Sequence, residues 1–171
     1  MVGESLMRAQ YWVMMTQKKF HLFYLGYQLG LYVKIERWMN VILAIISTGS
    51  LIGLFAWDEG QKILAIILAL AQIVTAARPY LPFERRVNEL DKGILLLNRV
   101  YSDIEKKWNE INIEGVEDSQ INEFYYNYLK QWDEVDGEIL QKDSLPYIEK
   151  YYTKAGEDNE RYFINLFGGN E

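Results

Sequence analysis

Two uncharged apolar runs, separated by a short charged segment, are the most distinctive pattern along the chain. The first, 38–57, reads WMNVILAIISTGSLIGLFAW. As a helix it would extend about 30 Å, the thickness of a hydrocarbon core. The second, 63–77, reaches only about 22 Å, so flanking residues must extend it to 62–80. The pattern predicts a two-helix transmembrane hairpin, 38–57 and 62–80. A buried core helix of a soluble protein is the alternative for the first run.

Residues flanking these runs predict how the hairpin is anchored. Trp prefers the membrane interface, and basic residues stay on the cytoplasmic side. The interface anchors predicted on this basis are Arg37, Trp38, Trp57, Arg78, Arg85 and Arg86. Because the connecting loop offers only Lys62, we expect a multi-pass protein of the inner (cytoplasmic) membrane with both termini in the cytoplasm.

Small and polar residues within the two runs suggest contacts between helices. Small residues four apart allow close backbone approach in a bilayer; the predicted packing residues are Gly49, Gly53, Ala65 and Ala69. Polar side chains in lipid need a partner or a wet pore; the candidate pore-lining residues are Gln72, Thr75, Asn40 and Thr48. Packing within the hairpin alone is an equally simple interpretation of the small residues.

Beyond the second run, apolar residues recur at alternating spacings of three and four. Such spacing is typical of a coiled coil or a packed helical hairpin. The predicted seam comprises Val87, Leu90, Ile94, Leu97, Tyr101, Ile104 and Trp108 in one helix, and Tyr125, Tyr128 and Trp132 in the next. Gly115 lies between them and favours an antiparallel hairpin with a tight turn. Whether this seam closes within one chain or between subunits is left open by the pattern.

The segment before the first run predicts an aromatic, amphipathic helix. Its predicted apolar face comprises Leu6, Ala9, Val13, Phe20, Tyr24, Tyr27, Leu31 and Ile35. This face is expected either to pack against the helix at 87–111 or to lie among lipid headgroups. The predicted fold is therefore an all-α membrane protein of three parts: an N-terminal region at 1–37, the hairpin at 38–81 and a cytoplasmic helical domain at 83–171.

Charge divides the chain into a basic and an acidic part. Residues 1–100 carry 11 Lys and Arg against 7 Asp and Glu, whereas residues 101–171 carry 7 against 17. The net charge of −6 argues against a nucleic-acid partner, which would require a basic surface. Absence of cysteine excludes disulfides and thiolate metal sites. The first 37 residues do not resemble a cleavable signal peptide.

No catalytic pattern is visible in the sequence. The single histidine, His21, is expected to be structural, and no phosphate-binding loop or HExxH helix occurs. The run of Asp133, Glu134, Asp136 and Glu138 offers carboxylates suited to a divalent metal. However, a solvated helix face explains that run more simply. We expect a protein that is not an enzyme and needs no cofactor or metal.

One stretch resembles a known family. The motif Arg78-Pro79-Tyr80-Leu81-Pro82-Phe83, followed by Arg85 and Arg86, with the order of elements over 11–132, resembles the SLATT family of bacterial two-transmembrane effectors. The resemblance implies a homo-oligomeric effector that forms pores or perturbs membranes in anti-phage defence and abortive infection. Membrane lipid, further copies and a signalling or sensor protein are the implied partners. The alternative is a non-enzymatic, membrane-anchored scaffold, encoded by the host or a prophage, that tethers a cytoplasmic partner.

Overall fold

A computed structural model describes residues 6–47, 66, 69, 70, 72–76, 83–113, 115–140 and 145–168, with the backbone alone at 45–47, 139 and 140. Four helices have defined bounds: α1 (Leu6–Ser47), α2 (Phe83–Ile113), α3 (Asp118–Leu140) and α4 (Glu149–Phe167). Residues 66, 69, 70 and 72–76 are also helical. No strand occurs within these ranges. The described part of the chain is therefore almost entirely helical, as the periodicity predicts.

The membrane part of the fold prediction is wrong. Across the ranges that the structure describes, none of the helices is both long enough and apolar enough to cross a membrane. α1 has 42 residues, but Lys34, Glu36 and Arg37 stand directly before its apolar end, and charges are costly inside hydrocarbon. The finding contradicts the all-α membrane fold and the multi-pass placement in the inner membrane.

Much of the predicted hairpin lies outside the described residues. Of 38–57 the structure describes only 38–47, and of 62–80 only 66, 69, 70 and 72–76. The predicted residues that fall outside are Thr48, Gly49, Gly53, Trp57, Ala65 and Arg78. Among the predicted helix-packing and pore-lining residues, the structure describes Ala69, Gln72, Thr75 and Asn40, and all four are exposed.

The chain divides into two units. The first comprises residues 1–29 and 89–171, and the second comprises residues 30–88. In the second unit, the rings of Tyr32 and Phe83 lie 6.2 Å apart. Of the predicted interface anchors in this unit, Arg37 and Arg85 are exposed, Trp38 is 66% exposed, and Arg86 is buried.

A tight turn connects α2 to α3. Gly115 adopts a φ of 60°, a conformation that costs roughly 1–2 kcal/mol in residues with a Cβ. The carbonyl of Glu117 then accepts hydrogen bonds from the amides of Gln120 and Ile121, at 3.0 and 3.1 Å. Across the turn, the Lys107 ammonium lies 4.7 Å from the centroid of the Phe124 ring. Glycine therefore permits the reversal, and α3 begins directly after it.

The core of the first unit is formed mainly by α1, α2 and α3. Its fully buried large side chains include Tyr11, Met15, Leu25, Leu90, Leu97, Ile104, Ile111, Ile121 and Trp132. On α1 these residues follow helical spacing, but on a different face from the predicted one. Leu6 is 69% exposed and Val13 is 48% exposed. α1 therefore packs against α2 through a stripe next to the expected one.

Helix α4 packs onto this core mainly through aromatic rings. Ala155 is its only buried residue. The ring of Phe163 lies 5.1 Å from Trp12 of α1, and that of Tyr152 lies 4.8 Å from Phe20. Tilted and edge-on aromatic pairs of this kind each contribute about 0.5–1.5 kcal/mol beyond burial. Much of the attachment of α4 to α1 therefore depends on partly exposed aromatic side chains and not on fully buried ones.

Candidate functional site

The predicted seam lies inside a single chain. In α2, Leu90, Leu97, Tyr101, Ile104 and Trp108 are buried, whereas Val87 and Ile94 are half-buried. In α3, Trp132 is buried, and Tyr125 and Tyr128 are half-buried. The most buried seam positions are therefore occupied by the protein's own helices and are not available to a second subunit.

Aromatic rings from α1 and α3 surround Trp108. Tyr11 stacks on it with centroids 6.0 Å apart and an interplanar angle of 13°. Trp12 lies 5.2 Å away, and Tyr128 meets Tyr11 edge-on at 6.5 Å. The hydroxyl of Tyr11 donates a 3.0 Å hydrogen bond to the carbonyl of Ile104. Burial raises the pKa of Tyr11, so this hydroxyl keeps its proton and donates the hydrogen bond that connects α1 to α2.

A polar cluster holds the segment that leads into α4. Gln28 is buried, and its Nε2 donates to the Tyr24 hydroxyl at 2.9 Å and to the Pro146 carbonyl at 2.8 Å. The Tyr24 hydroxyl donates to the same carbonyl at 3.2 Å and accepts the Ile148 amide at 3.1 Å. Buried polar groups require such partners, so these groups fix the position of the chain at 145–148.

A second polar contact joins α1, α2 and α4 around Lys19. Its ammonium lies 3.9 Å from the ring centroid of Tyr162, 4.6 Å from Tyr101 and 5.4 Å from Phe23. The Tyr162 hydroxyl donates to Glu105 Oε1 at 2.5 Å. Burial lowers the pKa of Lys19, and Glu105 opposes that shift. The rings replace part of the water that the ammonium loses, which makes Lys19 a cross-link between helices.

Basic side chains of α1 contact carboxylates of α3. Lys18 Nζ lies 3.8 Å from Asp133 Oδ1, and His21 Nε2 lies 3.1 Å from Asp136 Oδ1. The Lys18 ammonium also lies 5.0 Å from the Trp132 ring. Burial lowers the pKa of Lys18, while Asp133 and Asp136 act in the opposite direction. His21 is therefore part of a structural contact, in line with the expectation for a lone histidine.

A groove of about 410 Å³ opens between α1 and α3. Its lining residues are Ala9, Gln10, Val13, Met14, Gln17 and Lys18 from α1, and Tyr125, Tyr126 and Leu129 from α3. Val13 is 48% exposed and Tyr126 is 62% exposed. Single exposed apolar residues are ordinary, but several together mark a binding surface. This groove is the candidate functional site.

Other chemistry is not evident in the described part of the chain. Within it, no three or more His, Asp or Glu side chains are placed to hold a metal ion. The carboxylates of Asp133 and Asp136 contact Lys18 and His21, whereas Glu134 is exposed and lies 4.0 Å from Lys130. Three of the four carboxylates in the acidic run on α3, those of Asp133, Glu134 and Asp136, thus contact basic side chains of α1 or of α3 itself.

Comparison with known proteins gives no relative. No family model matches the chain, and no curated protein or solved structure is significantly similar to it. The resemblance to the SLATT family and the effector role implied by it therefore stay predictions.

The groove was not predicted from the sequence, although the sequence pattern does indicate an apolar face on the α1 side of it. Leu6, Ala9 and Val13 belong to the apolar face predicted for the N-terminal helix. The structure leaves these residues exposed and buries Tyr11 and Met15 instead. α1 therefore has two neighbouring apolar stripes. Among the described residues, the second stripe is exposed at Leu6, Ala9 and Val13, whereas Phe20 and Tyr24 further along it contact α4.

Proposed function

We propose that the protein is a non-enzymatic helical scaffold that binds protein chains in the groove between α1 and α3. The observation that carries this proposal is the uncovered apolar lining of the groove, where Val13 and Tyr126 stand on opposite walls. Apolar side chains left open on a helical bundle bind a partner by removing their surface from water. Amphipathic helices bind in grooves of this type.

Side-chain chemistry supports a binding role over an enzymatic one. The largest upward shifts in pKa are those of Tyr11 and Tyr101, whose hydroxyls are buried among the helices. Perturbed groups mark an active site when they face a cleft, and neither of these tyrosines lines the groove. The groove itself offers amides, one ammonium and apolar surface. This set favours contact with a polypeptide.

Site-specific photo-crosslinking tests the proposal. A benzophenone amino acid at position 13 of the full chain, expressed in the organism that encodes it, should capture protein identified by mass spectrometry. The same residue at Leu95, which is 55% exposed on α2 outside the groove, is the matched control. Adducts from position 13 alone support the proposal. Equal adducts from both positions, or none from position 13, contradict it.

A further inference from the structure

Helix α4 is the part of the first unit on which the core depends least. Among the described residues, every fully buried large side chain lies in α1, α2 or α3. Ala155 is the one buried residue of α4, and its single methyl group adds little apolar surface to the core. Segments with few buried apolar contacts open at a lower free energy than the whole domain. The packing of the other three helices is therefore largely independent of α4.

The far half of α4 rests on α1 and α2 through side chains that water still reaches. Phe163 and Phe167 meet the Trp12 ring edge-on at 5.1 and 5.0 Å, and Phe167 is 38% exposed. The Tyr162 hydroxyl donates to Glu105 at 2.5 Å in a contact that is only partly buried. Water competes for such a hydrogen bond, so its net contribution to stability is small. These contacts can be broken without opening the core.

The start of α4 is held differently, by buried polar groups. Gln28 is 0% exposed and donates to the Pro146 carbonyl at 2.8 Å, and the Tyr24 hydroxyl accepts the Ile148 amide at 3.1 Å. Breaking the bond from Gln28 would leave a buried donor without this partner, which is costly. The firm attachment therefore lies at 145–148, and the weaker contacts lie at the other end. We propose that α4 is a lid, hinged at 145–148, that opens as a unit while α1, α2 and α3 stay folded.

Opening of the lid uncovers an aromatic surface of α1. Four rings on α1 contact rings of α4 at centroid distances between 4.8 and 6.3 Å, those of Trp12, Phe20, Phe23 and Tyr27. None of these four side chains lines the groove between α1 and α3. The lid therefore acts on a surface separate from the proposed binding site, and the inference goes beyond the proposed function. A ligand of the uncovered rings binds the open state alone and shifts the protein towards it.

Labelling of engineered thiols in the folded full chain tests the lid, because the chain has no cysteine of its own. Ala155→Cys places a thiol under α4 and Met15→Cys places one in the core, where both native side chains are 0% exposed. Urea unfolding of each variant gives its own global unfolding equilibrium. We expect the thiol at position 155 to react with a maleimide roughly 100-fold faster than global unfolding permits, and the thiol at position 15 only as fast as it permits. Labelling at position 155 that also requires global unfolding overturns the proposal.

A second substitution in the Ala155→Cys chain tests which end of α4 opens. Phe163→Ala removes a ring that contacts Trp12 and should raise the labelling rate at position 155 roughly tenfold. Ile164→Ala is the matched control, since Ile164 is the next residue of α4 and is 58% exposed, and it should leave the rate unchanged. Hydrogen exchange of the Ile148 amide at the hinge should not change in either variant. Equal effects of the two substitutions on labelling overturn the lid, and a rise at Ile148 that matches the rise at position 155 overturns the hinge.

Discussion

The Tyr11 hydroxyl donates a 3.0 Å hydrogen bond to the Ile104 carbonyl, between residues 93 positions apart in the sequence. The bond is buried and connects α1 directly to α2, at the point where the Tyr11 ring stacks on Trp108. Ring and hydroxyl therefore contribute separately, and substitutions can distinguish the two contributions. This contact also fixes which stripe of α1 faces the core.

Tyr11→Phe should lower the free energy of unfolding by about 1 kcal/mol, the net contribution of a typical hydrogen bond. Tyr11→Ala also removes the ring and should cost about 3–5 kcal/mol, as for other large core aromatics. Urea unfolding followed by tryptophan fluorescence measures both. Equal losses for the two variants would show that the ring contributes nothing beyond the hydroxyl and would contradict the packing described.

Much of α2 was predictable, because its seam has one continuous apolar stripe. Leu90, Leu97, Ile104 and Trp108 all lie on it and are buried. α1 has two neighbouring stripes, and local spacing cannot determine which of them meets α2. That choice depends on contacts such as Tyr11 with Ile104, which arise only after distant segments meet. The α1 wall of the groove was missed for the same reason.

The membrane prediction was wrong because it treated 38–57 as an isolated element. In the described part of the chain, the start of that run belongs to α1, a helix that begins at Leu6 and includes several charged residues. Hydropathy in a twenty-residue window does not show where a helix begins. Contacts of α4 were also unpredictable: Tyr27 and Asp158 form a hydrogen bond across 131 positions, and no local pattern indicates such a pair.

Trp108→Ala should destabilise the monomer by about 3–5 kcal/mol, because Trp108 is only 8% exposed and contacts Tyr11 and Trp12. Its effect on the size of any oligomer should be small, since these contacts lie within one chain. Trp38→Ala provides a control of the same residue type. Trp38 is 66% exposed, so its loss should change stability by no more than about 0.5 kcal/mol. Thermal and urea unfolding measure both variants, and light scattering measures size.

Tyr24→Phe should loosen the start of α4. The Tyr24 hydroxyl accepts the Ile148 amide at 3.1 Å, and its removal leaves that amide without this acceptor. We expect amide hydrogen exchange at Ile148 to rise roughly fivefold, the factor that corresponds to about 1 kcal/mol. Tyr147→Phe removes an exposed hydroxyl nearby and should leave the rate unchanged. An unchanged rate in Tyr24→Phe would indicate that other contacts hold this segment.

Two tyrosines that attach α4 should make the protein sensitive to alkaline pH. The hydrogen bond to Asp158 raises the pKa of Tyr27 to about 12, and burial with the hydrogen bond to Glu105 raises the pKa of Tyr162 to about 12, against an ordinary value of 10.0. The folded state thus holds these protons more tightly than the unfolded state does. Their stabilising effect is complete below pH 10.0 and is lost as the pH rises towards about 12.

Asp158→Asn and Glu105→Gln should each reduce that sensitivity, because each replaces the carboxylate beside one tyrosine with a neutral amide. In Asp158→Asn the pKa of Tyr27 should fall from about 12 towards its ordinary value of 10.0. In Glu105→Gln the pKa of Tyr162 should fall less, since burial is the largest cause of its shift. Absorbance of tyrosinate near 295 nm during a pH titration measures both. Titration curves of the two variants that coincide with the wild-type curve would show that α4 is not attached through these carboxylates.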